Sequence, residues 1–284
     1  MLVNMKEMLK CAKENKYAVP QFNINNLEWT RFILEECQSN NSPVILGVSE
    51  GAAKYMGGYK TVYDIVVDLI AYLHITIPVA LHLDHGSSFE VCKEAIDCGF
   101  TSVMIDASTY DLDKNIEITK KVVSYSKDRD VSVEGEIGHV GSNHDQGIMY
   151  AEVDDCVKYF RKTEIDFLAP ALGSVHGLYK GKPKLNFDRM LEISEITNIP
   201  LVLHGGTGIY DDQIKKSIQC GISKININTE LQIAWSDAVK ANINSDIYDP
   251  RKIIKLGEES LKKCVRNKII LLGSNDKANT QSVK

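Results

Sequence analysis

Short runs rich in β-branched residues recur along the chain at intervals of roughly 25 to 35 residues, each followed by a longer amphipathic stretch, the pattern of parallel βα units. The runs are Ala18–Asn23, Val44–Val48, Val79–Asp84, Ser102–Asp106, Ser132–Ile137, Phe167–Ala171, Leu201–His204 and Lys224–Asn228. Helical patterns follow them at Leu27–Gln38, Thr61–Leu73, Phe89–Cys98, Leu112–Ser126, Val153–Arg161, Phe187–Ile196, Asp211–Cys220 and Leu231–Asn242. Eight such pairs, with no composition break and no Gly/Ser linker, predict one closed (β/α)8 TIM barrel over 1–284 rather than two doubly wound domains. A C-terminal helical extension is expected from Pro250 to about residue 273, and the polar segment 275–284 is expected to be a disordered tail.

Composition supports a folded chain and narrows its class. Hydrophobic residues make up 44% and charged residues 25% of 284, enough to bury a full core without disulfides or metal staples. No apolar run is long enough to span a bilayer, and the first residues lack a signal-peptide pattern, so a cytoplasmic protein without membrane association is expected. A net charge of −5 argues against nucleic acid as a partner and leaves room for a local cationic pocket. Seven cysteines without a C-x-x-C pair read as reduced, mostly buried thiols.

On a barrel, chemistry collects where the strands end at their carboxyl termini. Strand three ends in His82-Leu83-Asp84-His85, strand four in Asp106 and strand five in Glu134-Gly135-Glu136; strand six runs into Ser174-Val175-His176-Gly177 and strand seven into His204-Gly205-Gly206-Thr207-Gly208. His85, His176 and His204 thus share one face, and three neutral imidazoles with an open fourth position are a catalytic zinc arrangement. Period-two alternation turns His82 into the barrel, as a hydrogen-bonded core residue. Asp84, next to a ligand candidate, suits either a general acid or base or a carboxylate that orients a ligand imidazole. Asp106 and Glu134 suit the latter role. The glycine-rich turn after His204 offers backbone N–H groups to an anion, and Gly177, Lys180 and Thr229 can complete one phosphate site. Gly47-Val48-Ser49-Glu50-Gly51 fits a hydrolase elbow but stands too early in the chain. Gly57-Gly58-Tyr59-Lys60-Thr61 fails as a P-loop because Tyr59 stands where a glycine is needed.

Four motifs carry a resemblance over the whole chain: His82-Leu83-Asp84-His85-Gly86, Ala171-Leu172-Gly173-Ser174-Val175-His176-Gly177, Leu203-His204-Gly205-Gly206-Thr207-Gly208 and Asn226-Ile227-Asn228-Thr229-Glu230. The chain resembles the class II, zinc-dependent fructose-1,6-bisphosphate aldolases and their tagatose-bisphosphate relatives. The resemblance implies reversible aldol cleavage of a sugar bisphosphate, with zinc on His85, His176 and His204, and with Asp84 exchanging the proton of the C4 hydroxyl. It implies that Asp106 and Glu134 orient the ligands or serve as alternative metal positions. It further implies that Gly177, Lys180, Gly205, Thr207 and Thr229 hold the ketone-side phosphate beside a monovalent cation (Na+ or K+), with Asn226 near the dihydroxyacetone portion. Asn25 and Ser49 would meet the other end of the substrate, and Asn228 fits fructose better than tagatose. Arg251 would reach the second phosphate of a neighbouring subunit, which implies a homodimer or homotetramer. One departure stands out: His144 occupies the place of a loop glutamate that moves the proton next to the carbonyl. His144 is therefore the candidate base, and a phosphosugar-binding paralogue with weak turnover, or an inositol-pathway aldolase, is the alternative.

Overall fold

The computed structural model describes residues 2–138, 140, 150–177, 179, 181–244 and 246–278. Its eight strands are β1 (Val19–Asn23), β2 (Val44–Ser49), β3 (Val79–Gly86), β4 (Ser102–Ile105), β5 (Ser132–Ile137), β6 (Phe167–Pro170), β7 (Leu201–Leu203) and β8 (Ile222–Ile227). Each pairs in parallel with the next, and β8 pairs with β1, so the sheet closes into a (β/α)8 barrel. The helices are α1 (Lys6–Glu14), α2 (Leu27–Ser39), α3 (Glu50–Tyr55), α4 (Tyr59–Tyr72), α5 (Phe89–Asp97), α6 (Leu112–Ser126), α7 (Val153–Thr163), α8 (Phe187–Thr197), α9 (Asp211–Gln219), α10 (Thr229–Asn242), α11 (Pro250–Lys255) and α12 (Glu258–Leu272). Asn26, Ser88 and Asp111 cap α2, α5 and α6 by accepting backbone N–H bonds, which satisfies donors the helices cannot.

Inside the barrel the layers differ in kind. Val19, Ile45, Ala80, Phe167 and Val202 form an apolar floor closed by Met8 and Leu9 of α1 and by Met5 just before it. The outer faces of the strands pack on the surrounding helices in a larger apolar cluster. Above the floor lie fully buried polar residues, Gln21, His82, Glu134 and Lys224, and above these the strand ends.

Helix α1 was not foreseen, and its charges explain how it docks. In a βα barrel the helices end at the amino-terminal mouth, where their carbonyls concentrate negative potential. Lys13 donates to Asn198 Oδ1 and Ile199 O beyond α8, Lys16 donates to Gln219 O at the end of α9, and Lys6 pairs with Asp166.

The C-terminal extension departs from expectation in two ways. The single helix over 250–273 is two helices, α11 and α12: Ile254 O accepts from Trp235 Nε1 at 3.1 Å and from Gly257 N at 3.3 Å, a tight final turn that ends α11. A Cβ at Gly257 would also fall 2.1 Å from Trp235 Cδ1. The tail is ordered as far as it is described: Asp276 and Ala278 donate backbone N–H bonds to Asn40 and Asn41, and Ala278 is buried. The expected disorder beyond that, over 279–284, lies outside the described residues. His82 is a core histidine as expected, with Nδ1 2.8 Å from Ser102 Oγ, and all seven cysteines are free thiols.

If α1 closes the barrel through its apolar face, Leu9→Ala should lower unfolding stability by about 2–5 kcal/mol. Lys10→Ala on the exposed face should change it by less than about 0.5 kcal/mol. Urea titration followed by circular dichroism distinguishes the two.

Candidate active site

A β-bulge builds the centre of the site. Residues 83 and 86 of β3 pair with 103 and 105 of β4, so β3 carries one residue more than its neighbour. His85 absorbs it at a φ of 56°, a left-handed conformation that costs a β-carbon residue about 1–2 kcal/mol. Strict alternation would send Asp84 and His85 to opposite faces. The bulge instead brings both to one cavity of about 480 Å³ at the carboxyl end of the barrel.

His85 Nδ1 donates to Asp106 Oδ2 at 2.8 Å, and His204 Nε2 donates to Glu134 Oε1 at 2.8 Å. The remaining nitrogens, His85 Nε2 and His204 Nδ1, face each other at 3.0 Å. The His176 ring lies 5.0 Å from that of His85 and 5.9 Å from that of His204. Ligand nitrogens of all three lie within 4.8 Å of one another. Two ring nitrogens this close need a shared proton or a metal ion between them, and nitrogens on a tetrahedral zinc are about 3.3 Å apart. The donor set therefore fits a divalent metal.

The surroundings set the charges. Burial works against a charged His85, but the hydrogen bond to Asp106 and the charges of Asp84 and Glu136 outweigh it and lift the group to about 9. Burial, then repulsion from His204 and His85, lowers His176 to about 4, and burial likewise lowers His204. Asp84 is buried, yet His85, His204 and Lys224 hold its carboxyl well below the usual range. Its oxygens accept from Asn23 Nδ2 at 2.8 Å and Asn226 Nδ2 at 3.2 Å. Glu136 goes the other way, pushed up to about 8 by burial and by the charge of Asp106. Such opposed shifts in one cleft are typical of reacting or metal-binding groups.

Two loops wall the cavity on the far side. Gly205 has a φ of 67°, and a Cβ there would fall 2.2 Å from Val175 O, so only glycine lets the loops after β6 and β7 touch. Tyr179 ties them, accepting from Val175 N at 3.1 Å and donating to Gly205 O at 3.2 Å. The cavity wall includes Asn25, Ser49, Gly177, Thr207, Asn226, Asn228 and Thr229. Thr229 opens α10, where Glu230 N–H donates to Thr207 Oγ1 and those of Leu231 and Gln232 to Asn228 O, which ties this helix end to the loop after β7.

Asp84, His85, His176, Asp106 and the residues just named thus meet at one place, with His204 and Glu134 directly beneath. Glu134 is not exposed to the cavity: Lys224 and His204 occupy its two oxygens. The carboxylates grouped with His85 are Asp106 and Glu136. Arg251 does not join them; it is largely exposed and paired with Asp249. His144 and Lys180 lie outside the described residues. The sequence reading missed Glu136, Asn23, Ser108, Tyr179 and Lys224. Of these Glu136 carried a signal, since it sits two residues beyond Glu134 on the same face of β5.

A closed parallel barrel with converging imidazoles, a ring of carboxylates and glycine-rich loops at one mouth defines a barrel enzyme built to hold a cation beside an anionic small molecule. The chain belongs to the class-II fructose-bisphosphate aldolase family, whose model matches residues 3–277, and it is accordingly a lyase. It is 56% identical over 283 residues to the fructose-bisphosphate aldolase of Geobacillus stearothermophilus, covering 98% of this chain and 99% of that one. It is 57% identical, with the same coverage, to the fructose-bisphosphate aldolase of Staphylococcus aureus (strain Mu50 / ATCC 700699). Among solved structures, the YdjI aldolase of Escherichia coli K12 superposes with a TM-score of 0.88 at 32% identity, over 98% of this chain and all of that one. No helix among the described residues is long and apolar enough to cross a membrane.

Gly205→Ala should cost about 1–3 kcal/mol in unfolding stability from backbone strain alone, with more from the clash at Val175. A wild-type urea midpoint in this variant would show that the two loops are not in close contact.

Proposed function

We propose that the chain catalyses reversible cleavage of fructose 1,6-bisphosphate to dihydroxyacetone phosphate and glyceraldehyde 3-phosphate, with zinc held by His85, His176 and His204. The observation that carries the reading is the 3.0 Å approach of His85 Nε2 to His204 Nδ1, each ring's other nitrogen spent on a carboxylate. Bound zinc would supply Lewis acidity, drawing electron density from the ketone as negative charge develops at C3.

The chain's own groups do the rest. Asp84 is ionised and oriented by Asn23 and Asn226, so it can accept the C4 hydroxyl proton as the C3–C4 bond breaks and the C4 oxygen becomes an aldehyde carbonyl. The electron pair of the broken bond stays on C3, and His144 returns a proton there. Gly177, Gly205, Thr207 and Thr229, with Lys180, bind the ketone-side phosphate through backbone and hydroxyl groups, beside a monovalent cation. Asn25 and Ser49 meet the aldehyde end, Asn226 the dihydroxyacetone portion, and Asn228 favours fructose over tagatose. Asp106 orients His85 and Glu134 orients His204.

Arg251 stands apart from its own chain's cavity, and in this reading it binds the second phosphate in the site of another copy, within a homodimer or homotetramer. Exposed Ile233, Ile243 and Tyr248 near that end of the chain support such an interface. The whole chain forms one catalytic unit, acting in the cytoplasm.

A chelator should abolish cleavage and added zinc restore it, while borohydride with substrate should trap no adduct; trapping would point to a lysine Schiff base. Asp84→Asn should retain zinc and lower kcat by about 10²- to 10⁴-fold. His144→Ala should lower turnover of fructose 1,6-bisphosphate, and unchanged activity would remove His144 as the base. Tight binding of a dihydroxyacetone phosphate analogue by the wild type without cleavage would turn the reading to a phosphosugar-binding paralogue.

A further inference from the structure

Lys224 points into the barrel from β8 and is fully buried. A lysine in that position costs desolvation energy that an apolar residue would avoid, so its presence calls for an account. Its Nζ donates to Glu134 Oε2 at 2.8 Å. The nearest nitrogen of His82 lies 3.7 Å from the same oxygen, beyond hydrogen-bond distance. Lys224 therefore anchors one oxygen of Glu134 and leaves the other, Oε1, for His204 Nε2–H at 2.8 Å. An imidazole that donates from Nε2 presents a lone pair at Nδ1. That nitrogen faces His85 Nε2 and also lies 3.3 Å from Asn226 Nδ2, an amide N–H donor that requires a lone pair opposite it.

We propose that Lys224 is a positioning residue: by anchoring Glu134 it fixes the orientation and tautomer of His204, so that Nδ1 is the nitrogen turned to the metal. The inference rests on the reading of His204 as a ligand given above. It assigns the buried charge to the site rather than to the stability of the barrel. A purely structural ion pair could be replaced without effect on the metal, whereas groups that orient a ligand imidazole usually contribute about 10- to 100-fold in metal affinity.

Zinc affinity measured by competition with a chromophoric chelator tests this, together with the ring 15N signals of His204 in metal-free protein. Lys224→Met should weaken zinc binding at least tenfold and shift the His204 ring from the Nε2–H pattern. Should the unpaired Glu134 prevent that variant from folding, the double variant Lys224→Met/Glu134→Gln removes both charges of the pair and should show the same loss. A folded variant of either kind with zinc affinity within twofold of wild type and an unchanged His204 pattern would overturn the proposal. Failure of the wild type to bind zinc would instead overturn the metal reading, and the His204 ring signals would still decide the role of Lys224.

Discussion

Two imidazole nitrogens held 3.0 Å apart, with each ring's other nitrogen bound to a carboxylate, are the constraint on which the rest of the active face depends. Such a pair is stable only around a shared proton or a metal ion, positive charge that the carboxylates behind it stabilise, and Asp84, Asp106 and Glu134 are held ionised. Each of those carboxylates needs partners in turn, which explains Ser108 on Asp106, Lys224 on Glu134, and Asn23 and Asn226 on Asp84. The opposite wall is built from glycines, threonines and a helix N-terminus. These can receive an anionic ligand through hydroxyl and loop backbone groups.

The barrel separates this concentrated charge from the parts that stabilise it. The floor beneath is apolar and sealed by α1, with Lys13 of the helix and Lys16 just after it meeting carbonyls beyond α8 and at the end of α9. Between floor and site lies the buried layer of Gln21, His82, Glu134 and Lys224. An apolar layer there would have been at least as stable, and that layer is where the geometry of the site reaches deepest into the fold. The bulge in β3 is the other strained element, and it too faces the site rather than the floor.

The repeating architecture was legible because strand and helix periods alternate with little noise, and strand ends on a barrel converge whatever the side chains are. That placed His85, His176, His204, Asp84 and Asp106 together before any coordinates. What could not be read was local. Alternation separates Asp84 from His85, and only the pairing of β3 with β4 reveals the extra residue. Lys224 and Ser108 look like ordinary polar residues until Glu134 and Asp106 are seen beside them. The C-terminal helix splits at Gly257, where Trp235 of α10 packs against the break.

The sequence by itself determined the barrel, the order of its strands, and which residues stand at the carboxyl ends, since these follow from periodicity and chain direction. Tertiary structure decided which carboxylate orients which imidazole, that Glu136 rather than Glu134 stands with His85 and Asp106, and that Arg251 lies away from its own chain's cavity. Those outcomes hang on distances of a few ångströms between strands that are not adjacent in sequence. Hydrogen bonds and repulsions between charges change sign or vanish over such distances, and no periodicity records them.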